Sequence, residues 1–222
     1  MSYSIYGKIV VMNDFDGTIL DTMEAHGILA ADCINRHFGM DLKTAKRRYF
    51  ETAGVPFHRQ LETIFPGDDF EAQRQKCAAE YHNRKIEEVY FQANLFPDVF
   101  PYLGMLDDKG AYATISTSTE GPLTSELLIR HDIADAFIAI RGAERGSKPK
   151  HIKEVKIYGP RLILFAGDSR SDMALSKSEG VTAIGRSGPE TKGMLSRGEL
   201  IEAGAYDAFD ELTCMEYILN LP

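Results

Sequence analysis

Cysteine is scarce in this chain. Three thiols in 222 residues, Cys33, Cys77 and Cys214, stand far apart and odd in number. They match no zinc or disulfide spacing, so reduced thiols in a cytoplasmic protein are expected. Long apolar runs are also missing. None approaches the ~20 residues of a membrane span, and the first residues carry no signal-peptide pattern. There is no basic tract, and the net charge is −8. That balance argues against nucleic acid or an anionic membrane as partner. A negatively charged substrate would have to be drawn in by local positive charge. Repeats and low-complexity segments are absent too. What remains is an ordinary globular composition, 44% hydrophobic and 26% charged. The length suits one large domain, or a core with a smaller insert.

The stretch that organises the chain is Val10 to Thr22, VVMNDFDGTILDT. An apolar run ends at Asp14 and Asp16, followed by Gly17 and Thr18. Such a run reads as a strand that stops at its carboxyl edge. Lys8 to Met12 shows no apolar/polar alternation, so the strand is expected to be buried on both faces. A solvated strand carrying two acids would alternate. Two carboxylates this close repel unless a proton or cation lies between them, and a hard divalent cation is the simplest partner. In an open α/β sheet, ligands bind at that edge.

From Ile19 to about Asn94 the pattern is helical. Leu29, Cys33, Ile34 and Phe38 recur at helical spacing and stop at Gly39. Leu42 to Ala53 reads as a basic helix and His58 to Phe65 as a short third one. Asp68 and Asp69 are expected to cap a long helix reaching about Phe91. A block of helices after the first strand reads as an inserted cap domain.

From Pro97 strands and helices alternate. Strands are expected at Ala111–Thr117, Ala136–Ile140, Arg161–Ala166, Val181–Ile184 and Tyr206–Phe209. Tyr102–Asp108 reads as the end of a helix, and further helices are expected at Pro122–His131, Asp172–Glu179 and after the last strand. The fold class is therefore α/β, a doubly wound parallel Rossmann-like sheet with a small all-helical cap. The core would comprise residues 1–19 and 98–222, and the cap residues 20–97.

The strand RLILFA runs into GDSRSDM, which sets Asp168 at a strand end and Asp172 at a helix start. Acids from two strand ends can build an oxygen-ligand site for Mg²⁺. The alternative, a turn aspartate and a helix cap, is weakened by DFDGT. AYATISTST ends another strand in hydroxyls, which with free N–H groups can hold phosphate oxygens. Thr117 stands there with Ser118 beside it, and Ser116 is the register alternative.

DFDGT at the end of a hydrophobic strand resembles the first motif of the haloacid dehalogenase-like (HAD) hydrolases. GDSRSDM resembles that family's GDxxxD motif, and the hydroxyl and lysine motifs follow in the family's order. The resemblance implies that Asp14 is a nucleophile toward phosphorus and Asp16 the general acid and base. It makes Thr117 the hydroxyl that holds the phosphoryl group. It makes Lys148, in RGSKPK, the lysine before proline, although Gly146 lies one residue farther off than in the usual GKP. Lys150 and Lys153 are close by, so the choice of Lys148 rests on the Lys-Pro match. Mg²⁺ would be held by Asp14, Asp16 and Asp168, with Asp172 and Ser118 accessory. In the cap, His26 lies where several members place a histidine facing the site. Arg59, in AGVPFHRQL, is the best anion-binding candidate, with an exposed helix arginine as the alternative reading.

The implied activity is a Mg²⁺-dependent phosphatase acting on a small phosphorylated metabolite, and phosphoglycolate phosphatases are the nearest named subgroup. Dehalogenase and phosphonate chemistry are disfavoured because those members lack the second aspartate. A sugar phosphate mutase of the β-phosphoglucomutase type is the runner-up. Val55-Pro56-Phe57, where such mutases tend to carry an arginine, counts against it. Response-regulator receivers also phosphorylate an aspartate on a doubly wound sheet, but they lack a helical insert after the first strand. A silent scaffold acting by binding would not need all four catalytic positions filled.

Overall fold

Ile9–Asn13 forms a strand, β1, buried at every residue. That is what its unbroken apolar run requires. In the computed structural model, which describes residues 4–220, helices α1 (Met23–Phe38), α2 (Leu42–Glu51), α3 (Phe57–Ile64) and α4 (Glu71–Lys85) follow it. Then come α5 (Val99–Asp108), β2 (Tyr112–Ser116), α6 (Gly121–Arg130), β3 (Phe137–Arg141) and α7 (Lys148–Ile157). The chain continues with β4 (Leu162–Gly167), α8 (Arg170–Glu179), β5 (Thr182–Arg186), α9 (Arg197–Ala203), β6 (Asp207–Phe209) and α10 (Glu216–Leu219). The six strands form one sheet in the order β3-β2-β1-β4-β5-β6. Every pairing is parallel. This is the α/β fold with a helical insert after the first strand.

The strand order reverses beside β1, so the carboxyl ends of β2, β1 and β4 open the crevice that such sheets use for ligands. Asn13 closes β1 with its amide satisfied. Its Nδ2 donates to the Val11 and Thr114 carbonyls, and its Oδ1 accepts from the Tyr102 hydroxyl at 2.7 Å. On one face of the sheet, Val10, Met12 and Phe165 pack with Ile152 and Val155 of α7. Each such fully buried side chain contributes roughly 1.5–3 kcal/mol.

Contacts divide the chain into two compact units. The sheet unit runs to Asp21 and resumes at Leu95. There the chain leaves and re-enters side by side: Leu20 bridges Leu95, and the Phe96 N–H donates to the Ile19 carbonyl. The helical unit holds Thr22–Asn94 and also takes in Thr191–Gly193 from the loop after β5. Its core gathers Leu29, Cys33, Ile34, Ala45, Leu61 and Cys77. α1 stops at Gly39, whose φ of 68° puts it in the left-handed region that a side chain resists.

Three elements differ from the sequence-based expectation. Asp68 and Asp69 do not cap α4. They lie in a 3₁₀ turn, Asp68–Phe70, and the residue before the helix is Phe70, which makes no side-chain cap bond. α4 itself ends at Lys85 and runs into one π-helical turn, Ile86–Tyr90. The stretch from Lys148, for which no element was expected, forms a helix that opens at Lys148. No described helix is long and apolar enough to cross a membrane.

Candidate active site

Asp14 is the first residue past β1. Its N–H donates to the Ala166 carbonyl at 2.8 Å, which locks it against the end of β4. Its Oδ1 accepts from the Phe15 N–H at 2.8 Å, and its Oδ2 lies 2.8 Å from the Lys148 ammonium. The same ammonium donates to Asp172 Oδ1 at 2.7 Å. One cation thus bridges an acid after β1 and an acid on α8. Asp172 is in the first turn of α8, behind the helix cap Ser169. Ser169 Oγ accepts from the Asp172 N–H at 3.1 Å and donates to its Oδ2 at 2.6 Å. So Ser169, not Asp172, caps the helix. Gly167 permits this approach, because a Cβ there would fall 2.7 Å from the Asp172 Cβ.

Asp168 completes the group. Asp14, Asp168 and Asp172 each offer an oxygen within 4.8 Å of the others, and all three are buried. Burial pushes the Asp14 carboxyl up to about 7, with Asp172 and Asp16 adding to the rise and Lys148 opposing it. Asp168 is raised well above the ordinary range, first by burial and then by Asp14 and Asp172. Burial alone would lower the Lys148 ammonium, but the two aspartates more than offset it and hold it protonated. With all three carboxylates ionised, one ammonium would leave negative charge uncompensated in a dry place, which is why protons are held there without a second cation. An all-oxygen donor set with that deficit fits a hard divalent metal ion. The third side chain of this trio is that of Asp172, and the Asp16 carboxylate is not among them.

Asp16 is half-buried, and its Oδ2 accepts from the Thr119 hydroxyl at 2.9 Å. Thr117 is the first residue past β2. Its N–H donates to the Arg141 carbonyl, and its Oγ1 accepts from the Thr119 N–H, both at 3.0 Å. Ser116 ends β2 with its hydroxyl turned into the core, 3.0 Å from His151 Nδ1. Ser118 is exposed in the loop. Sequence reasoning missed Thr119. The chain bends at residues 118 and 119 beyond the end of β2, so strand alternation gave no signal for it.

The two candidates in the helical unit have partners of their own. His26 is buried, with Nδ1 2.7 Å from the Tyr81 hydroxyl and its ring edge-on to Tyr90. Arg59 is exposed on α3 and pairs at 2.9 Å with Glu62, one turn along the same helix. This is the geometry of an exposed helix arginine.

Residues 11–185 match the model of a family described as haloacid dehalogenase-like hydrolase. The chain is 32% identical over 130 residues to phosphoglycolate phosphatase of Escherichia coli (strain K12), covering 53% of this chain and 50% of that protein. It is 30% identical over 172 residues to phosphoglycolate phosphatase of Salmonella choleraesuis, covering 73% and 64% respectively. It thus spans about half the length of the first of these curated relatives. The structure of a predicted phosphatase from Clostridium acetobutylicum superposes with a TM-score of 0.77 at 20% identity, covering 98% of this chain and 100% of that one, which shows the shared fold. With most of its length matched by one family model, the chain belongs to the haloacid dehalogenase-like hydrolases.

Proposed function

We propose that this protein is a Mg²⁺-dependent phosphatase of a small phosphorylated metabolite, working through an aspartyl phosphate. The observation that carries this reading is the buried trio Asp14, Asp168 and Asp172, clamped by Lys148, with Asp16 beside it but held separately by Thr119. A nucleophile needs its charge offset, and an acid must be able to exchange a proton. The two carboxylates of DFDGT meet those two demands.

In the first half-reaction a carboxylate oxygen of Asp14 attacks phosphorus in line. The bond from phosphorus to the ester oxygen breaks, and Asp16 gives its proton to the departing alkoxide. In the second, Asp16 takes a proton from water, whose oxygen attacks phosphorus. The bond to Asp14 breaks and inorganic phosphate leaves. Lys148 and Thr117 hold the oxygens of the transferring group and offset their charge. Asp14, Asp168 and Asp172 would hold Mg²⁺, which supplies further neutralisation of those oxygens when bound.

The test is phosphate release from a panel of small phosphoesters, with Mg²⁺ or with EDTA, beside Asp14→Asn. Because the relatives are phosphoglycolate phosphatases, 2-phosphoglycolate heads the panel, followed by sugar phosphates, nucleotides and pyrophosphate. Release that requires the metal and disappears in the variant is expected. Folded wild-type protein that releases phosphate from no ester would overturn the reading.

A further inference from the structure

We propose that His151 is a positioning residue that fixes the seat of Lys148 relative to Thr117 through its bond to Ser116. The proposal rests on the roles assigned above to Lys148 and Thr117. Lys148 opens α7, and the amino end of that helix is held by no side-chain cap: Ser147 makes none. Something else must fix where the first turn sits. One turn further on, His151 is fully buried, and its Nδ1 lies 3.0 Å from Ser116 Oγ, also fully buried. Ser116 is the last residue of β2, and Thr117 follows it directly. The bond therefore joins the helix that carries the ammonium to the strand end that carries the hydroxyl.

The surroundings make a polar pair expensive here. Ile152 and Val155 of α7 pack against Val10, Met12 and Phe165 of the sheet. His151 Nε2 is buried with no hydrogen-bond partner. An apolar side chain would pack this helix on this sheet at lower cost. An apolar contact, however, is non-directional and lets a helix slide by a fraction of a turn. A hydrogen bond between two buried side chains sets one register. Lys148 needs that register, because its Nζ must lie within 2.8 Å of Asp14 and 2.7 Å of Asp172 at once.

The experiment compares His151→Leu, Ser116→Ala, the double variant and His151→Asn, whose carboxamide can stand in for Nδ1. Three quantities are read: the thermal midpoint, kcat and KM on the best phosphoester, and the affinity of the Mg²⁺-loaded protein for inorganic phosphate by calorimetry. The double variant should keep the wild-type midpoint or exceed it, since both polar partners are gone together. kcat should fall at least about tenfold in His151→Leu and in Ser116→Ala, with no further loss in the double. Phosphate affinity should weaken by about tenfold in parallel, and His151→Asn should recover most of both. Wild-type kcat and phosphate affinity in the folded variants would overturn the proposal. So would a loss that merely follows the thermal midpoint and is not recovered by asparagine. If the wild type neither cleaves esters nor binds phosphate, the phosphatase reading fails on its own. A crystal structure of His151→Leu then decides the inference: Lys148 Nζ displaced from Asp14 supports it, and Lys148 in place ends it.

Discussion

A single ammonium, that of Lys148, meets two buried acids that come from opposite ends of the motif order. Removing it leaves Asp14 and Asp172 facing each other without a fixed cation. Lys148→Met is expected to lower the rate of phosphate release by about a hundredfold or more while the protein still folds. Lys150→Met is the control, since Lys150 is exposed and only two residues away. Comparable losses in both variants would remove Lys148 from its assigned role. The Lys-Pro resemblance singled out the lysine that the fold sets beside Asp14 and Asp172. Asp172 was read as an accessory acid, but its pairing with Lys148 was not legible, since no spacing rule joins residues 148 and 172.

At the scale of elements, one hydroxyl at the amino end of α8 serves both the helix backbone and the Asp172 carboxylate. Ser169 caps the helix and orients the Asp172 carboxylate with the same hydroxyl. Ser169→Ala should cost about 1 kcal/mol of stability in urea denaturation. It should also weaken Mg²⁺ binding by calorimetry, because Asp172 loses a donor. A stability loss with unchanged Mg²⁺ affinity would reduce Ser169 to a cap alone. Two helices escaped the sequence reading, α7 and α9. In α7 the buried residues are only His151, Ile152 and Val155 among four lysines, too narrow a stripe to register as an amphipathic period. In α9 only Leu200 is buried, and its capping box, Ser196 with Glu199, was the available signal.

On the scale of the whole molecule, distant segments are tied together by buried charge. Arg186, at the end of β5, is wholly buried. It donates to Asp98 at 2.8 Å and to the Asp210 carbonyl at 2.9 Å, with its guanidinium over the Phe96 ring. Asp98 also accepts from the Leu212 N–H at 2.7 Å. Arg186→Leu strands a buried carboxylate and should cost about 3–5 kcal/mol in chemical denaturation. Asp98→Asn in the same chain should recover part of that loss, and its failure to do so would point to packing instead. A second global property is the link between metal and pH. Asp14 is raised from 3.8 to about 7 without metal, so between those values the folded state holds a proton that the unfolded chain releases. Stability without metal should therefore fall as pH rises through that window. A divalent cation competes with this proton, so the Mg²⁺-induced rise in thermal midpoint should be larger at pH 8 than at pH 5. Equal rises at both values would argue that the cation binds elsewhere.

The sequence by itself determined the sheet and the helical insert, and set acids at the ends of two of its strands. These depend on local order: apolar runs buried on both faces, acids at their ends, and turns at glycine, all readable within about a dozen residues. Only the tertiary structure decided which acids share a cation. Asp16 is two residues from Asp14 yet turns to Thr119, whereas Asp172, far along the chain, comes to Lys148 because Ser169 caps α8 and Gly167 has no side chain to block it. It also decided that Ser116 faces His151 in the core while Thr117 stands at the strand's edge. Both outcomes are set by the parallel register of strands joined through long crossovers, and a carboxylate's partners follow distance in space, which no sequence spacing encodes.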